Sequence, residues 1–402
     1  MPSTHALFGD HYWDNASAVE DEQRARHAVV EAIMPNGVPV WVVLRDAEAR
    51  AALTDPRLSK DHRLLKPALA AAQRRAGRDP ATTRMTGDTP LFNDGDRHRR
   101  QRALLQHAFT PRRVRALRPR VQQIANDLLD AFDTSGPVDL VAEFAFQLPI
   151  TVICELIGVP GGDREHFRTW TADLMQDAPE IANPASEAMD HYFRRLIQVK
   201  RSDLRDDLLS TLLQTDSDGE RLTEHEIRDA LFLTLVAGHE TVSNLIGNAV
   251  HALLTRPARW RALVAEPALA SSIIEEVLRW DSPVRHATHR ITTEPVTIDG
   301  TVIPEGRIVL VALGAAGRDP ARYAHADHFD PHRDDHSHHL GFGHGAHYCI
   351  GAALGRMEGQ IALTTVSMRF PHARLADNQP PRRHPSAIMN SLSSLFILPN
   401  GH

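Results

Sequence analysis

The chain has 402 residues, 42% apolar and 24% charged, and 45 Lys and Arg against 51 Asp and Glu give a net charge of −6. That supplies a sizeable core, the mildly acidic balance argues against a nucleic-acid partner, and no stretch holds the roughly eighteen uncharged apolar residues of a membrane span. The first thirty residues lack an apolar run, so no secretory leader is expected, and two cysteines cannot build a disulfide framework, so a reducing cytoplasm fits.

In chain order, GVPVWVVL (Gly37–Leu44) alternates as short strands do. The polar stretch Ala72–Pro90 reads as a long mobile loop, of a kind that often carries function. Helical periodicity follows in RVQQIANDLLDAF, LPITVICELIGVP, REHFRTWTADLM, MDHYFRRLIQVKR and DDLLSTLLQ. Cys154 lies in the second of these and reads as a small buried hydrophobe. The longest run, TEHEIRDALFLTLVAGHETVSNLIGNAVHALLTRP, opens with a capping box of Thr223 and Glu226 and stops before Pro257. It predicts about thirty helical residues, roughly 45 Å long. Thr288–Leu313 turns to short strands, with turns at Asp299-Gly300 and Glu305-Gly306. No repeat or low-complexity linker divides the chain. A single mainly α domain over 1–402 with a minor β portion is expected, preceded only by a short N-terminal extension of about residues 1–25. His325, His328, His332, His336, His338 and His339 fall on no recurring helical face, which favours incidental composition over a zinc or nickel site.

The stretch GFGHGAHYCIGAALGR (Gly341–Arg356) surrounds the second cysteine, Cys349. A helical run follows it, so Cys349 is expected at a helix N-terminus, where orphan amides and the helix dipole favour a thiolate. Gly343, Gly345 and Gly351 permit a tightly curled backbone that a large flat group can approach. A single cysteine without partners at zinc spacing fits an axial position on an iron macrocycle better than a tetrahedral site. In AGHET, within the longest helix, Gly238 and Thr241 are expected to loosen the helix beside an acid, Glu240.

Phe342, Gly345, His347, Cys349 and Gly351 reproduce the cysteine-loop signature Phe-x-x-Gly-x-His-x-Cys-x-Gly, and the chain resembles the cytochrome P-450 family, the haem-thiolate monooxygenases. The resemblance runs from about Gly37 onward. It implies the cytochrome P-450 fold, a triangular-prism-like domain with haem b between the long central helix and the cysteine-loop helix. It makes Cys349 the iron ligand, cradled by Ala237, Gly238, Gly341, Phe342, Gly343 and Gly351. His98 and Arg102, at i and i+4, Arg290 and His347 are implied as a clamp on the haem propionates. Family members usually carry Asp-Pro-Pro ahead of that first histidine, where this chain has NDGDRH. Glu276 and Arg279 in EEVLR are implied to lock onto Arg333 of FDPHR and brace the cysteine loop. Glu240 and Thr241 resemble the acid–alcohol pair of oxygen activation.

The resemblance is strongest to bacterial macrolide and polyketide hydroxylases or epoxidases, with terpenoid, steroid and carrier-bound substrates left open. A non-catalytic ligand-binding or recruitment module on the same fold is the alternative, but such a module would be expected to lose the thiolate or the acid–alcohol pair. A bulky substrate is expected to touch Met85, Leu91, Leu174, Val236 and Ala237. Val284, Ala287, Asn390 and Leu392 complete that expected wall. No G-x-G-x-x-G fingerprint is present, so electrons for reaction with O2 are expected from a ferredoxin and its NAD(P)H-dependent reductase. Arg99, Arg100, Arg112, Arg113 and Arg356 are expected to form a basic docking patch on a monomer.

Overall fold

The computed structural model describes residues 7–9, 11–80, 87–174, 178–215, 221–377 and 379–401. Helix α1 (Tyr12–Arg26) leads into β1 (Val29–Ile33) and β2 (Pro39–Val43), then α2 (Asp46–Thr54), β3 (Leu58–Ser59) and α3 (His62–Arg75). Next come α4 (Gly95–Gln106), α5 (Pro111–Asp130), β4 (Val138–Asp139) and α6 (Gln147–Ile157). α7 (Arg164–Leu174), α8 (Pro179–Ser202) and α9 (Leu208–Gln214) precede the long α10 (Glu224–Leu254), α11 (Pro257–Ala265) and α12 (Ala270–Trp280). Strands β5 (Arg290–Thr292), β6 (Val296–Ile298), β7 (Thr301–Ile303) and β8 (Ile308–Val311) lead to a short α13 (Leu313–Gly317). After α14 (Ala352–Arg369) come β9 (Arg374–Leu375), β10 (Arg382–Arg383), β11 (Leu392–Ser394) and β12 (Phe396–Leu398).

The expected strands are present. β2 lies within GVPVWVVL, and the 288–313 stretch holds β5 to β8, with the β6–β7 hairpin turning through Asp299 (φ 46°) and Gly300 (φ 75°). Two consecutive positive φ angles match the right-handed twist of paired strands, and glycine adopts one without strain. One mixed five-stranded sheet has the order β1-β2-β8-β5-β3, with only β2 and β8 parallel. Two expectations need correction. Residues 72–75 belong to α3 and not to a loop, and residues 81–86 lie outside the described residues. The N-terminal segment is no loose extension either. Tyr12 and Glu20 of α1 are fully buried, and Arg24 donates to the Ala315 carbonyl at 2.8 Å.

α10 runs 31 residues behind its expected capping box: Thr223 accepts from the Glu226 amide, and the Glu226 carboxylate accepts from the Thr223 amide at 2.9 Å. Its N-terminal half, Ile227 to Val236, packs into one apolar core with α4, α6, α7, α8 and α9. Its C-terminal half, from Val242, packs into another with α5, α12 and α14. One helix therefore serves two cores in succession.

α12 carries a fully buried ion pair. Arg279 donates to both Glu276 oxygens at 2.8 and 2.7 Å, and its other donors reach the carbonyls of Gly317, Ala326 and His328. Arg333 approaches Glu276 at 3.3 Å, and the Asp330 amide donates to it at 2.7 Å. The backbone packs so tightly here that a Cβ on Gly317 would fall 2.1 Å from the Arg279 carbonyl oxygen. The pair thus pins the segment 317–333 on the approach to the cysteine loop. Arg279→Ala strands a buried carboxylate and is expected to cost about 3–5 kcal/mol of unfolding free energy. Denaturant titration reads this, and a cost below about 1 kcal/mol would show the brace to be dispensable.

Candidate active site

Between its two cores α10 buries His239 against Phe146 and leaves surface at its other positions. Ala237 is exposed, and Gly238, Glu240 and Thr241 keep some surface, although the flanking residues Val236 and Val242 are buried. Cys349 lies three residues before α14, whose Gly355 would place a Cβ 3.6 Å from Val242 of α10. Cys349 is exposed at its surface, yet burial pushes its thiol pKa up, opposed by the Gly351 amide and by Arg102 and Arg356. Both observations hold together when the sulfur faces an enclosed hollow instead of bulk solvent.

The loop around the sulfur is held by its backbone. The Cys349 amide donates to the Phe342 carbonyl at 2.9 Å, and Gly343 and Gly345 take φ of 75° and 70°. A Cβ on Gly345 would also meet Thr54 at 2.7 Å. Two details differ from expectation. Gly351 is the helix N-cap with φ −87°, so Cys349 stands two residues outside that cap, and Gly351 needs no left-handed freedom.

His98, Arg102, Arg290 and His347 come together from α4, β5 and the cysteine loop, lining one cavity of about 640 Å³. The His98 and His347 rings lie 4.4 Å apart, and Arg102 donates to the Tyr348 carbonyl at 2.7 Å. His98 Nε2 and Arg290 Nε are buried without any partner. Buried donors of this kind are almost always satisfied, so they point to a missing acceptor. The two carboxylates of a haem are such acceptors, and the open Cys349 sulfur is a suitable axial ligand. The residues present fit the group that the sequence motif implies. In the departure NDGDRH, Asp94 occupies the cap position of α4 but makes no cap bond. Its carboxylate accepts from Ser59 Oγ at 2.6 Å and from the Lys60 amide at 2.9 Å.

Glu240 has one oxygen without a partner, and burial alone pushes its pKa up to about 7. Thr241 donates to the Ala237 carbonyl at 2.7 Å, and α10 stays helical through this segment; the expected loosening is absent. With its proton committed, the hydroxyl presents lone pairs to the hollow.

Sequence reading singled out Glu276 and overlooked its neighbour. Glu275 accepts from Arg356 at 2.6 and 2.9 Å and lies 3.2 Å from His339, which lower its pKa to about 2 against the effect of burial. Arg356 also stacks 4.5 Å over the Phe342 ring. Consecutive acids of α12 thus hold two different parts of the approach to Cys349. Glu358 on α14 and Asn244 on α10 were overlooked too. Each is buried with one unpartnered side-chain atom, and burial raises the Glu358 pKa far above the carboxylate range. The signal available was a polar residue on the apolar face of a helical run.

Of the expected substrate wall, Ala237 is exposed, and Leu91, Val284 and Ala287 are half-buried against the cores around the sheet, whereas Leu174, Val236 and Leu392 are buried in the helical cores. Asn390 is buried with its amide saturated. It donates to Asp281 and to the Ser282 carbonyl, and accepts from Arg285 and Arg383. That makes it a strut of the fold rather than a free contact. Met85 lies outside the described residues. The expected basic patch is mostly engaged. Arg99 pairs with Asp96, Arg100 with Glu226 and Arg356 with Glu275, and Arg113 donates to Thr211 at 2.8 Å. Among the described residues, no three His, Cys, Asp or Glu side chains are grouped to hold a metal.

The family model for cytochrome P-450 matches residues 164–396. The chain is 45% identical to cytochrome P-450 107B1 of Saccharopolyspora erythraea, over 94% of this chain and 93% of that one. It is 42% identical to the vitamin D(3) 25-hydroxylase of Pseudonocardia autotrophica, over 92% and 90%. The solved structure of the bacillaene polyketide synthase cytochrome P-450 PksS of Bacillus subtilis superposes with a TM-score of 0.88 at 30% identity, covering 98% of both chains.

The elevated Glu240 pKa makes stability depend on pH. A carboxyl whose folded pKa lies above its ordinary 4.5 contributes stability that is complete below pH 4.5 and is lost as pH rises through about 7. Glu240→Gln removes that dependence. The variant is expected to gain on the wild type by up to about 3 kcal/mol between pH 4.5 and 8, at about 1.4 kcal/mol per pKa unit. Chemical unfolding at both pH values checks this; a difference independent of pH would place the Glu240 pKa in the ordinary range.

Proposed function

Since the chain belongs to the cytochrome P-450 family, we propose that it hydroxylates or epoxidises a bulky polyketide or macrolide, with electrons from a ferredoxin and its NAD(P)H-dependent reductase. The chain is a haem-thiolate monooxygenase that inserts one atom of O2 into an organic substrate. When bound, haem supplies oxygen activation, which a cysteine thiolate favours by donating electron density to the iron.

The chain's own groups divide the remaining work. Cys349 ligates the iron, while His98, Arg102, Arg290 and His347 hold the haem carboxylates. Glu240, with a pKa of about 7, both holds and releases a proton near neutrality, where general acid–base catalysis is most effective. Thr241 accepts a hydrogen bond at the uncovered stretch of α10. The apolar cores on either side keep bulk water from that stretch. The observation that carries the substrate reading is the surface that Ala237, Gly238, Glu240 and Thr241 keep in the middle of α10, between its two apolar cores. The likeness to PksS, the cytochrome P-450 of a polyketide synthase, supports the class. The likeness to a vitamin D(3) hydroxylase favours a steroid-like molecule as the second reading. No helix among the described residues is long and apolar enough to cross a membrane.

A panel of macrolides, linear polyketides and steroids, scored by the haem spin-state shift and then by product analysis, separates the readings. Macrolides or polyketides are expected to bind and turn over; turnover confined to steroids would refute the proposal. Thr241→Ala is expected to keep haem, the spin shift and NADPH consumption while diverting electrons to hydrogen peroxide. Glu240→Gln is expected to slow product formation by about 10²–10⁴-fold. Fully coupled product formation by Thr241→Ala would make this threonine structural.

A further inference from the structure

Lys60 lies between β3 and α3 and is 3% exposed. A lysine is rarely buried to this degree without a carboxylate partner. An ammonium group has three donors. Among the described residues its hydrogen-bond acceptor is the Thr288 hydroxyl, and its other close neighbour is the Phe92 ring, 5.3 Å away. Neither carries a charge that could offset the desolvation of a cation. Burial and the nearby Arg290 push its pKa well below the lysine range, with Asp94 opposing.

The surroundings of Lys60 are richer in cations than in anions. Burial lowers the pKa of His98 on α4 and of His289 beside β5, and the charge of Lys60 adds to both. Arg290 and Arg102 stand at the same cavity. The carboxylate facing this group is Asp94, already bonded by Ser59 and the Lys60 amide and paired with His347 at 3.6 Å, while Asp55 acts on Arg290 from the end of α2. His98 Nε2 and Arg290 Nε are buried without partners, and so is His289 Nε2. An anion placed among these groups would supply the acceptors and the counter-charge that they lack.

We propose that Lys60 is a further binding residue for the haem carboxylates, joining His98, Arg102, Arg290 and His347 as a cationic contact on the side of Thr288. The proposal rests on the haem reading. It explains why, among the described residues, the buried ammonium has a hydroxyl as its hydrogen-bond acceptor: its counter-charge arrives with the cofactor. A lysine retained only to pack on Phe92 and Thr288 would affect the fold but would be indifferent to the charge on the haem.

The test follows haem release from holoenzyme into excess apomyoglobin for the wild type, Lys60→Gln, Lys60→Met and Lys60→Arg. Each protein is loaded with either haem or its dimethyl ester. With haem, the Gln and Met variants are expected to release about 10–100-fold faster, the range of one charge-assisted hydrogen bond, and Arg about as slowly as the wild type. With the dimethyl ester that gap is expected to close. The propionate bending bands in the resonance Raman spectrum are expected to shift in Lys60→Gln. Equal acceleration with haem and with its ester, or no acceleration with either, would overturn the role of Lys60 and leave the haem assignment standing. A wild-type chain that binds no haem would overturn both.

Discussion

Close packing is the default state of a protein interior, and a structure that keeps a hollow beside its longest helix has to oppose it. Here α10 meets that constraint by changing partners part-way along. Residues up to Val236 are covered by α6 to α9 and residues from Val242 by α5, α12 and α14; between them His239 is buried against Phe146, while Ala237, Gly238, Glu240 and Thr241 keep some surface. Alanine and glycine at 237 and 238 bring little volume to fill the gap, and a Cβ on Gly238 would meet Ile153 at 2.9 Å. The hollow is therefore a seam between two cores, and α10 crosses it as a continuous helix even though Thr241 bonds back to the Ala237 carbonyl.

The cysteine loop must then face that seam. It contains little regular structure, so its position comes from outside, through two adjacent carboxylates of α12. Glu276, with Arg279, anchors the segment before the loop, and Glu275 holds His339 and the Arg356 that covers Phe342. Neighbouring positions on a helix point about 100° apart, so two adjacent acids can grip two different walls. Fully buried, the first pair contributes mainly through the loss that follows when either partner is removed.

Electrostatics in the seam follows from the same geometry. Where the hollow meets α10, burial without a counter-charge keeps Glu240 protonated to about pH 7. At the cavity between α4, β5 and the cysteine loop, cations and imidazoles gather against the carboxylates Asp94 and Asp55. One region is short of positive charge and the other of negative. A dianionic cofactor corrects the second and leaves the first free to move protons.

The sequence by itself determined the elements and the chemistry-bearing residues, because both are local. Periodicity, the Thr223–Glu226 capping box and the Asp299-Gly300 turn set helix and strand boundaries through bonds within a few residues, and the spacing around Cys349 identified the loop. Only the tertiary structure decided which side chains face the hollow. Leu174, Val236 and Leu392 carry the same apolar character as Ala237, yet the former are used by the cores and the latter is left exposed, since burial depends on which distant element arrives opposite. The partners of Asn390, Glu275 and Lys60 were hidden for the same reason: Arg285, Arg356 and Thr288 lie 105, 81 and 228 positions away in the chain. No local pattern encodes a contact whose two halves meet only after folding.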